Sequence, residues 1–278
     1  LEDFGAKWIL FNGNFFDTLL LPSSYIIINL IYKSPEFILL LYIIFIYLII
    51  TKKNFFVSRF EFFWIKVFFI LLIFLFPLIY FSFLPYRIYD GLRLFLYIIP
   101  YFCIIPGLVI YYLFNNTNLF LNKILTAIIG LLFFYYSYCF VALTPYQYTY
   151  LNFFSGNSQN KNQKFENDYW GTSIKELIKK IPAETSLVSK GERIKIAFCG
   201  LSHEIAIVEL NKLKKLDYEI VDLYEGGFDY IIMTNRAVGD KNTNNISEVK
   251  TCFQKNYGKD LIQIKRNNLM LSTLRKKL

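Results

Sequence analysis

Four stretches of this chain are continuously apolar, and three of them, all but the run 37–50 that by itself falls short of a bilayer core, are too long for an ordinary water-soluble core. Residues 37–50 carry no charge, 62–84 carry Lys66 alone, and 94–114 and 124–144 carry none. A helix rises ~1.5 Å per residue, so about twenty apolar residues match a hydrocarbon core ~30 Å thick. In lipid the backbone meets no water, which favours the helix because it satisfies its own N–H and C=O groups. The pattern predicts an interfacial helix at 24–33, then spans at about 35–51, 62–84, 93–114 and 123–144. Ser34 is expected to cap the first span, with Pro35 at its first position, where a missing N–H costs nothing. Pro77 reads as a kink, Pro100 and Pro106 as interruptions of the third span, and Ala127 and Gly130 as close-packing points. Residues 1–23, with Gly5, Gly13 and Pro22 among Glu2, Asp3, Lys7 and Asp17, read as a loop outside the bilayer.

Composition supports a membrane protein: 55% of the residues are hydrophobic and 20% aromatic, above the usual soluble range. The net charge of +9 is uneven, with +3 on residues 1–155 and +6 on residues 156–278. A +6 domain beside a bilayer suits anionic headgroups. No helix-turn-helix, zinc or RNA-binding signature accompanies it, so nucleic acid is not an expected partner. The loop at 51–66 is the most basic short loop, with Lys52, Lys53, Arg59 and Lys66 against Glu61. By the positive-inside rule it faces the cytoplasm, which puts 85–92, 145–173 and everything after on the extracytoplasmic face of the cell's inner membrane. Cys103 and Cys139 lie in apolar helices; Cys199 and Cys252 can bridge only if their part is extracytoplasmic. With one histidine, His203, and no CxxC, no metal site is predicted. The opening LEDFGAKW carries no initiator Met and reads as the middle of a longer protein.

Residues 1–155 thus form an α-helical multi-span membrane domain, and 156–278 a small extracytoplasmic α/β domain. In the latter, Ser173-Ile-Lys-Glu176 reads as a capping box, with Ile174, Leu177, Ile178 and Ile181 on one helix face and Pro182 as the stop. Ile194–Cys199 reads as a buried strand. Ser202 through Leu216 reads as a helix, although HEIAIVEL also fits a strand. Strands are expected at 218–223 and 228–233, a loop at 237–247 and a short helix at 248–256. A hairpin at 261–265 and 269–274 closes the chain through Arg266-Asn267-Asn268.

Three polar clusters stand out against this background. Tyr89-Asp90-Gly91-Leu92-Arg93 sits where the chain re-enters the membrane, and ionisable groups there are costly unless paired or used. Arg93 can hold a lipid-borne phosphate bidentately with Asp90 orienting it, or the two can simply anchor a helix end. The second cluster is Tyr146, Gln147, Tyr148 and Asn152. The third is Glu166, Asp168, Tyr169 and Trp170. Tyr and Trp suit a membrane boundary, so 145–173 reads either as an aromatic belt with a connector or as the roof of a site. Carboxylates beside ring faces suit carbohydrate; equally, Glu166 and Asp168 can be favourable charge ahead of a helix. No nucleophile–base set, GxGxxG, GK[ST] or HExxH is present, and His203 reads as a surface or helix-start residue.

Four blocks in order resemble the C-terminal half of phospholipid-carrier-dependent glycosyltransferases. These are GT-C-class, multi-span enzymes related to dolichyl-phosphate-mannose–protein mannosyltransferases. The blocks are Leu21-Pro22…Tyr25 with Ser34-Pro35, Tyr89-Asp90-Gly91-Leu92-Arg93, Pro145-Tyr146-Gln147-Tyr148…Asn152, and Phe165-Glu166…Asp168-Tyr169-Trp170-Gly171-Thr172-Ser173. The chain departs from many relatives at Leu94 and Thr144, where they carry histidine. The resemblance implies transfer of a sugar from a polyprenyl-phosphate carrier to a protein, lipid or glycan acceptor, with the acidic base upstream of Leu1. A lipid-phosphate-linked sugar would be donor substrate, with no cofactor assigned. A non-catalytic membrane-anchored binding or assembly module is the contrasting expectation. A transporter ranks below both, because no span carries an ionisable residue mid-membrane.

Overall fold

The computed structural model describes residues 7–83, 87–116, 119–181, 193–213, 216–239 and 245–278. Contacts gather the chain into a helical unit (Leu19–Val141 with Leu151–Phe154) and an α/β unit (up to Thr18, Ala142–Tyr150 and Ser155–Leu278). Each unit is described by itself.

The helical unit begins with α1 (Tyr25–Lys33) and α2 (Glu36–Thr51), bent by 112° at Ser34-Pro35. Proline holds the residue before it extended, and Ser34 has ψ 144°. Ser34 makes no side-chain cap, contrary to the expected N-cap role, and α2 starts at Glu36 with Pro35 at the cap position. The carbonyls orphaned at the end of α1 are met by Asn152. Its Nδ2 donates to Ile31 O (2.5 Å) and Ser34 O (3.0 Å), and its backbone N–H to Tyr32 O (2.9 Å). Glu36 in turn accepts the Phe153 N–H at 2.7 Å.

A short helix, α3 (Lys53–Arg59), occupies the basic loop, then α4 (Phe63–Phe83) runs on through Pro77. A 3-10 turn over Arg93–Ile98 leads into α5 (Ile99–Asn115), with Pro100 in its first turn, where proline is tolerated, and Pro106 inside. Helix α6 (Phe120–Ala142) follows. The core is a seam between α2 and α5: Leu41, Ile44, Phe45 and Leu48 against Ile105, Val109, Tyr112 and Leu113, closed by Phe56 and Phe63. Both sets keep helical spacing. The outer faces are apolar as well, as at Ile46, Ile50, Phe68, Phe76, Leu131 and Phe134. Among the described residues three helices, Phe63–Tyr80, Arg93–Asn115 and Phe120–Ala142, are long and apolar enough to cross a membrane. There are four if α1 and α2 make one broken span.

The α/β unit opens with a hairpin, β1 (Trp8–Phe11) and β2 (Asn14–Asp17), where a loop was expected. The correction has a local cause: Asn12 (φ 48°) and Gly13 (φ 86°) form a two-residue left-handed turn between two apolar runs. After α7 (Ser158–Lys164) and α8 (Ile174–Lys180) come β3 (Ile194–Cys199), α9 (His203–Leu210), β4 (Tyr218–Ile220) and β5 (Tyr230–Thr234). Helix α9 settles the helix-or-strand ambiguity but stops short of Leu216. Strands β6 (Ala237–Val238) and β7 (Lys250–Thr251) pair, so 248–256 is not a helix. There Thr251 N–H bonds Gln254 Oε1 at 2.9 Å, and Cys252 is disulfide-bonded to Cys199. The expected stop at Pro182 lies outside the described residues.

Strands β8 (Lys259–Arg266) and β9 (Leu269–Lys276) form the expected closing hairpin, longer than foreseen, through Asn267 and Asn268 at positive φ. The five-stranded sheet has the order β4-β3-β5-β9-β8; β3 is parallel to β4 and β5, and β9 is antiparallel to β5 and β8. Side chains alternate across β3: Ile194, Ile196 and Phe198 pack with α8 and α9, while Ala197 and Cys199 pack with Met233 and Cys252 on the other face.

Replacing Asn152 by Leu leaves the buried Ser34 carbonyl and the part-buried Ile31 carbonyl without their side-chain donor. The expected cost is about 2 kcal/mol or more, read as a lowered unfolding temperature of the full chain in detergent. An unchanged temperature would mean that Asn152 does not hold the α1–α2 corner.

Candidate functional site

Each unit carries sequence-predicted polar residues that the fold brings together. In the helical unit, Asp90 and Gly91 both take left-handed backbone conformations (φ 58° and 66°) ahead of the Arg93 turn. Aspartate and glycine tolerate this region better than branched residues. The turn is pinned by the Gly91 N–H donating to Tyr25 Oη on α1 at 3.0 Å. The Asp90 side chain is 5% exposed and accepts from Arg93 Nη1 at 3.3 Å, while Arg93 is 50% exposed. A buried carboxylate thus steers a guanidinium that still reaches solvent. Tyr89 is half-buried beside them.

A residue outside the sequence-predicted set also comes to this turn. Tyr25, Asn29 and Lys33 recur every fourth residue on α1, one face of a helix. A Cβ on Gly91 would collide with Lys33 Nζ and stand 3.4 Å from Asn29 Oδ1. The polar stripe within an otherwise apolar helix was the signal that could have found Lys33. Asn152, by contrast, belongs to the α1–α2 corner described above.

In the α/β unit, Asp168 is fully buried and organises its own loop. Its carboxylate accepts from Thr172 N–H and Ser173 N–H (both 2.9 Å), Ser173 Oγ and Tyr148 Oη. Asp168, not the expected Ser173–Glu176 box, therefore leads into α8, and Ser173 makes no cap bond. Glu166, also buried, accepts from Leu10 N–H (3.4 Å) and Ala237 N–H (2.8 Å) and lies 3.7 Å from Arg236, tying β1 to β6. Both carboxylates have internal partners.

The aromatic residues do come together. Tyr148, Tyr169 and Trp170 form a triangle with centroid separations of 5.1–5.3 Å. Tyr146, Tyr148, Trp170, Lys175, Glu176 and Lys179 line a cleft of ≈ 520 Å³. Gln147 stands beside it, donating to Thr144 Oγ1 at 2.9 Å. Tyr146 Oη donates to Glu176 at 3.0 Å, and Arg266 bonds the same carboxylate at 2.5 Å. Burial raises the Glu176 carboxyl, but the hydrogen bonds from Tyr146, Arg266 and Lys180 outweigh it and hold it below its ordinary value. Burial, then the bond to Glu176, pushes the Tyr146 hydroxyl up; burial and the charge of Asp168 do the same for Tyr148. Both phenols therefore stay protonated at neutral pH, as donors to Glu176 and Asp168. What the cleft offers is ring faces beside two lysines. A second cleft of ≈ 430 Å³ lies by the ends of β3 and β4, with exposed His203 at the start of α9, its ring 5.2 Å from Phe198.

No protein-family model, curated protein or solved structure matches this chain.

Asp168→Ala is expected to cost about 2–4 kcal/mol, since it strands buried N–H and hydroxyl donors. Hydrogen exchange of α8 amides in the full chain would show it, and unchanged protection would refute it. A carboxylate with a lowered folded-state pKa adds stability that is complete above its ordinary 4.5. That stability is lost as pH falls through the folded value. Protection around Arg266 should therefore drop below pH 4.5 in the native chain. In Glu176→Gln it should start lower at neutral pH and lack that component.

Proposed function

We propose that the chain is part of a membrane glycosyltransferase that moves a sugar from a lipid-phosphate carrier to an acceptor on the extracytoplasmic face. The observation that carries this reading is the Asp90–Arg93 pair: a buried carboxylate holding a half-exposed guanidinium at the foot of an apolar helix. A guanidinium presents its donors in a planar fork that matches phosphate oxygens. Arg93 contacts the donor phosphate and Asp90 sets its orientation. Within the α/β unit by itself, the ring faces of Tyr148 and Trp170 line a cleft of the kind sugar C–H faces stack in, and Lys175 and Lys179 favour an anionic group there. Glu166 and Asp168 act by shaping this stretch rather than by bonding sugar hydroxyls. The Cys199–Cys252 disulfide supports the extracytoplasmic side, because such bonds persist in oxidising compartments.

A binding or assembly module is the second reading, favoured by the same internal engagement of Glu166 and Asp168. Arg93→Ala in the intact protein separates the two. On the transferase reading it weakens undecaprenyl phosphate binding in nanodiscs by about 10-fold or more, the loss of a charge-assisted hydrogen bond. Unchanged affinity would remove Arg93 from the role.

A further inference from the structure

We propose that the cleft of the α/β unit binds an acidic saccharide, a sugar ring bearing a carboxylate, with Trp170 and Tyr148 under the ring and Lys175 and Lys179 at the charge. This rests on the reading of that cleft as a sugar site and does not depend on Arg93. Three observations within the α/β unit lead to it. The cleft holds ≈ 520 Å³, inside the range of about 300–1,000 Å³ usual for small-molecule sites. Trp170 is 44% exposed, yet its ring is set by Tyr148 at 5.1 Å and Tyr169 at 5.3 Å. Tyr148 is set in turn, its hydroxyl donating to buried Asp168 and lying 2.6 Å from Thr172 Oγ1. An exposed ring already held by its neighbours has little freedom left to lose on binding. Its negative face suits the weakly positive C–H face of a sugar.

The charge comes from α8. Lys175 and Lys179 lie four residues apart on it and share a face, and both are exposed. Neither has an ion pair or hydrogen bond among the described residues. The carboxylates around them are engaged elsewhere. Glu176 takes Tyr146 Oη at 3.0 Å, Arg266 at 2.5 Å and Lys180 at 3.3 Å. Glu209 on α9 acts on both lysines through space and is bonded to Lys212 at 2.6 Å. Asp168 is enclosed by the N–H and hydroxyl donors described above. Two ammonium groups on one rim can therefore bracket a single anion beside the rings. A sugar uronate satisfies both halves, with its C–H face on the rings and its carboxylate at the lysines. A nucleotide also brings a flat group and a negative charge, but its base edges need donors and acceptors to be read. The hydroxyls nearest the rings, those of Tyr146 and Tyr148, are bonded internally to Glu176 and Asp168. A sugar C–H face needs neither.

The test is binding of digalacturonate to the full chain in nanodiscs of a zwitterionic lipid, with maltose, acetate and uridine monophosphate as comparison probes. Digalacturonate is expected to bind about 10-fold or more tighter than neutral maltose, and acetate at equal concentration should not displace it. The double variant Lys175→Met with Lys179→Met is expected to lose about 10-fold or more of that affinity. Its salt dependence should be shallower and its unfolding temperature unchanged, since both side chains are exposed. Trp170→Ala should weaken both saccharides, and Trp170→Phe should restore most of the loss. Equal binding of digalacturonate and maltose, or native-like binding by the double lysine variant, overturns the acidic assignment. Displacement by acetate overturns the sugar, and tighter binding of uridine monophosphate gives the cleft to nucleotides instead. A loss in Trp170→Ala that comes with a lowered unfolding temperature and is not restored by Trp170→Phe overturns the stacking role. Absent digalacturonate binding beside native-like undecaprenyl phosphate binding removes this inference and leaves the Arg93 reading standing; the reverse outcome removes Arg93 and keeps the cleft.

Discussion

A buried backbone group that leaves regular structure must find a partner, and at several irregular corners among the described residues a carboxylate or amide side chain supplies one. Asn152 meets the carbonyls where α1 ends, and Glu36 takes the N–H that follows Asn152. Glu166 takes one N–H from β1 and one from β6, at sequence separations of 156 and 71. Asp168 gathers the N–H groups entering α8. Each group left unpaired would cost about 1–3 kcal/mol, a large fraction of the roughly 5–15 kcal/mol by which a domain is stable at all. That expense explains why polar side chains recur at these corners, where regular hydrogen bonding stops. It also limits what they do otherwise, because a carboxylate filled by backbone donors is a poor partner for a ligand's hydroxyl.

The two units dispose of their apolar surface in different ways. In the α/β unit, alternation on β3 sends one set of side chains to α8 and α9 and the other to Met233 and Cys252, so both faces of the sheet are covered by protein. Helices α4 and α6 are apolar around their whole circumference, with large residues such as Phe76, Leu131 and Phe134 left outside. A helix hydrophobic all round is at home only in a core or in lipid. The protein core of the helical unit is the narrower seam between α2 and α5, where the apolar set keeps to one stripe.

Long-range periodicity was legible in the residues alone. The apolar runs placed α1, α2, α4, α5 and α6 to within a few residues, and short apolar runs bounded by turn residues located β3, β5 and the closing hairpin. What escaped was chemistry decided by partners far away in sequence. Ser173–Glu176 has the spacing of a capping box, yet Asp168 takes the N–H groups and Arg266, ninety residues on, takes Glu176. Residues 248–256 look helical until Cys252 is bound to Cys199. Asn12-Gly13 is a hairpin turn signal in the sequence, but the runs flanking it are only four residues long, too short to stand out as strands. Of the site, the Asp90–Arg93 pair and the aromatic cluster of Tyr148, Tyr169 and Trp170 could be named beforehand. The approach of Lys33 to Gly91 could not, since it depends on how α1 folds back over the turn.

Placing a carboxylate at 5% exposure beside an apolar helix needs a reason beyond stability. Apolar residues of similar volume often do as well as a buried ion pair, because removing two charges from water costs about as much as their attraction returns. Here the two partners are treated differently: Asp90 is enclosed, whereas Arg93 is half in solvent. An enclosed carboxylate cannot relax toward water, so it fixes where the guanidinium points, and Gly91, lacking a Cβ, admits a second cation to the same corner. An anchor for a helix end would need the attraction but not this asymmetry. Holding a guanidinium in a set direction at the edge of an apolar body is more than attraction between two charges would give, and it is lost if the buried and exposed partners trade places.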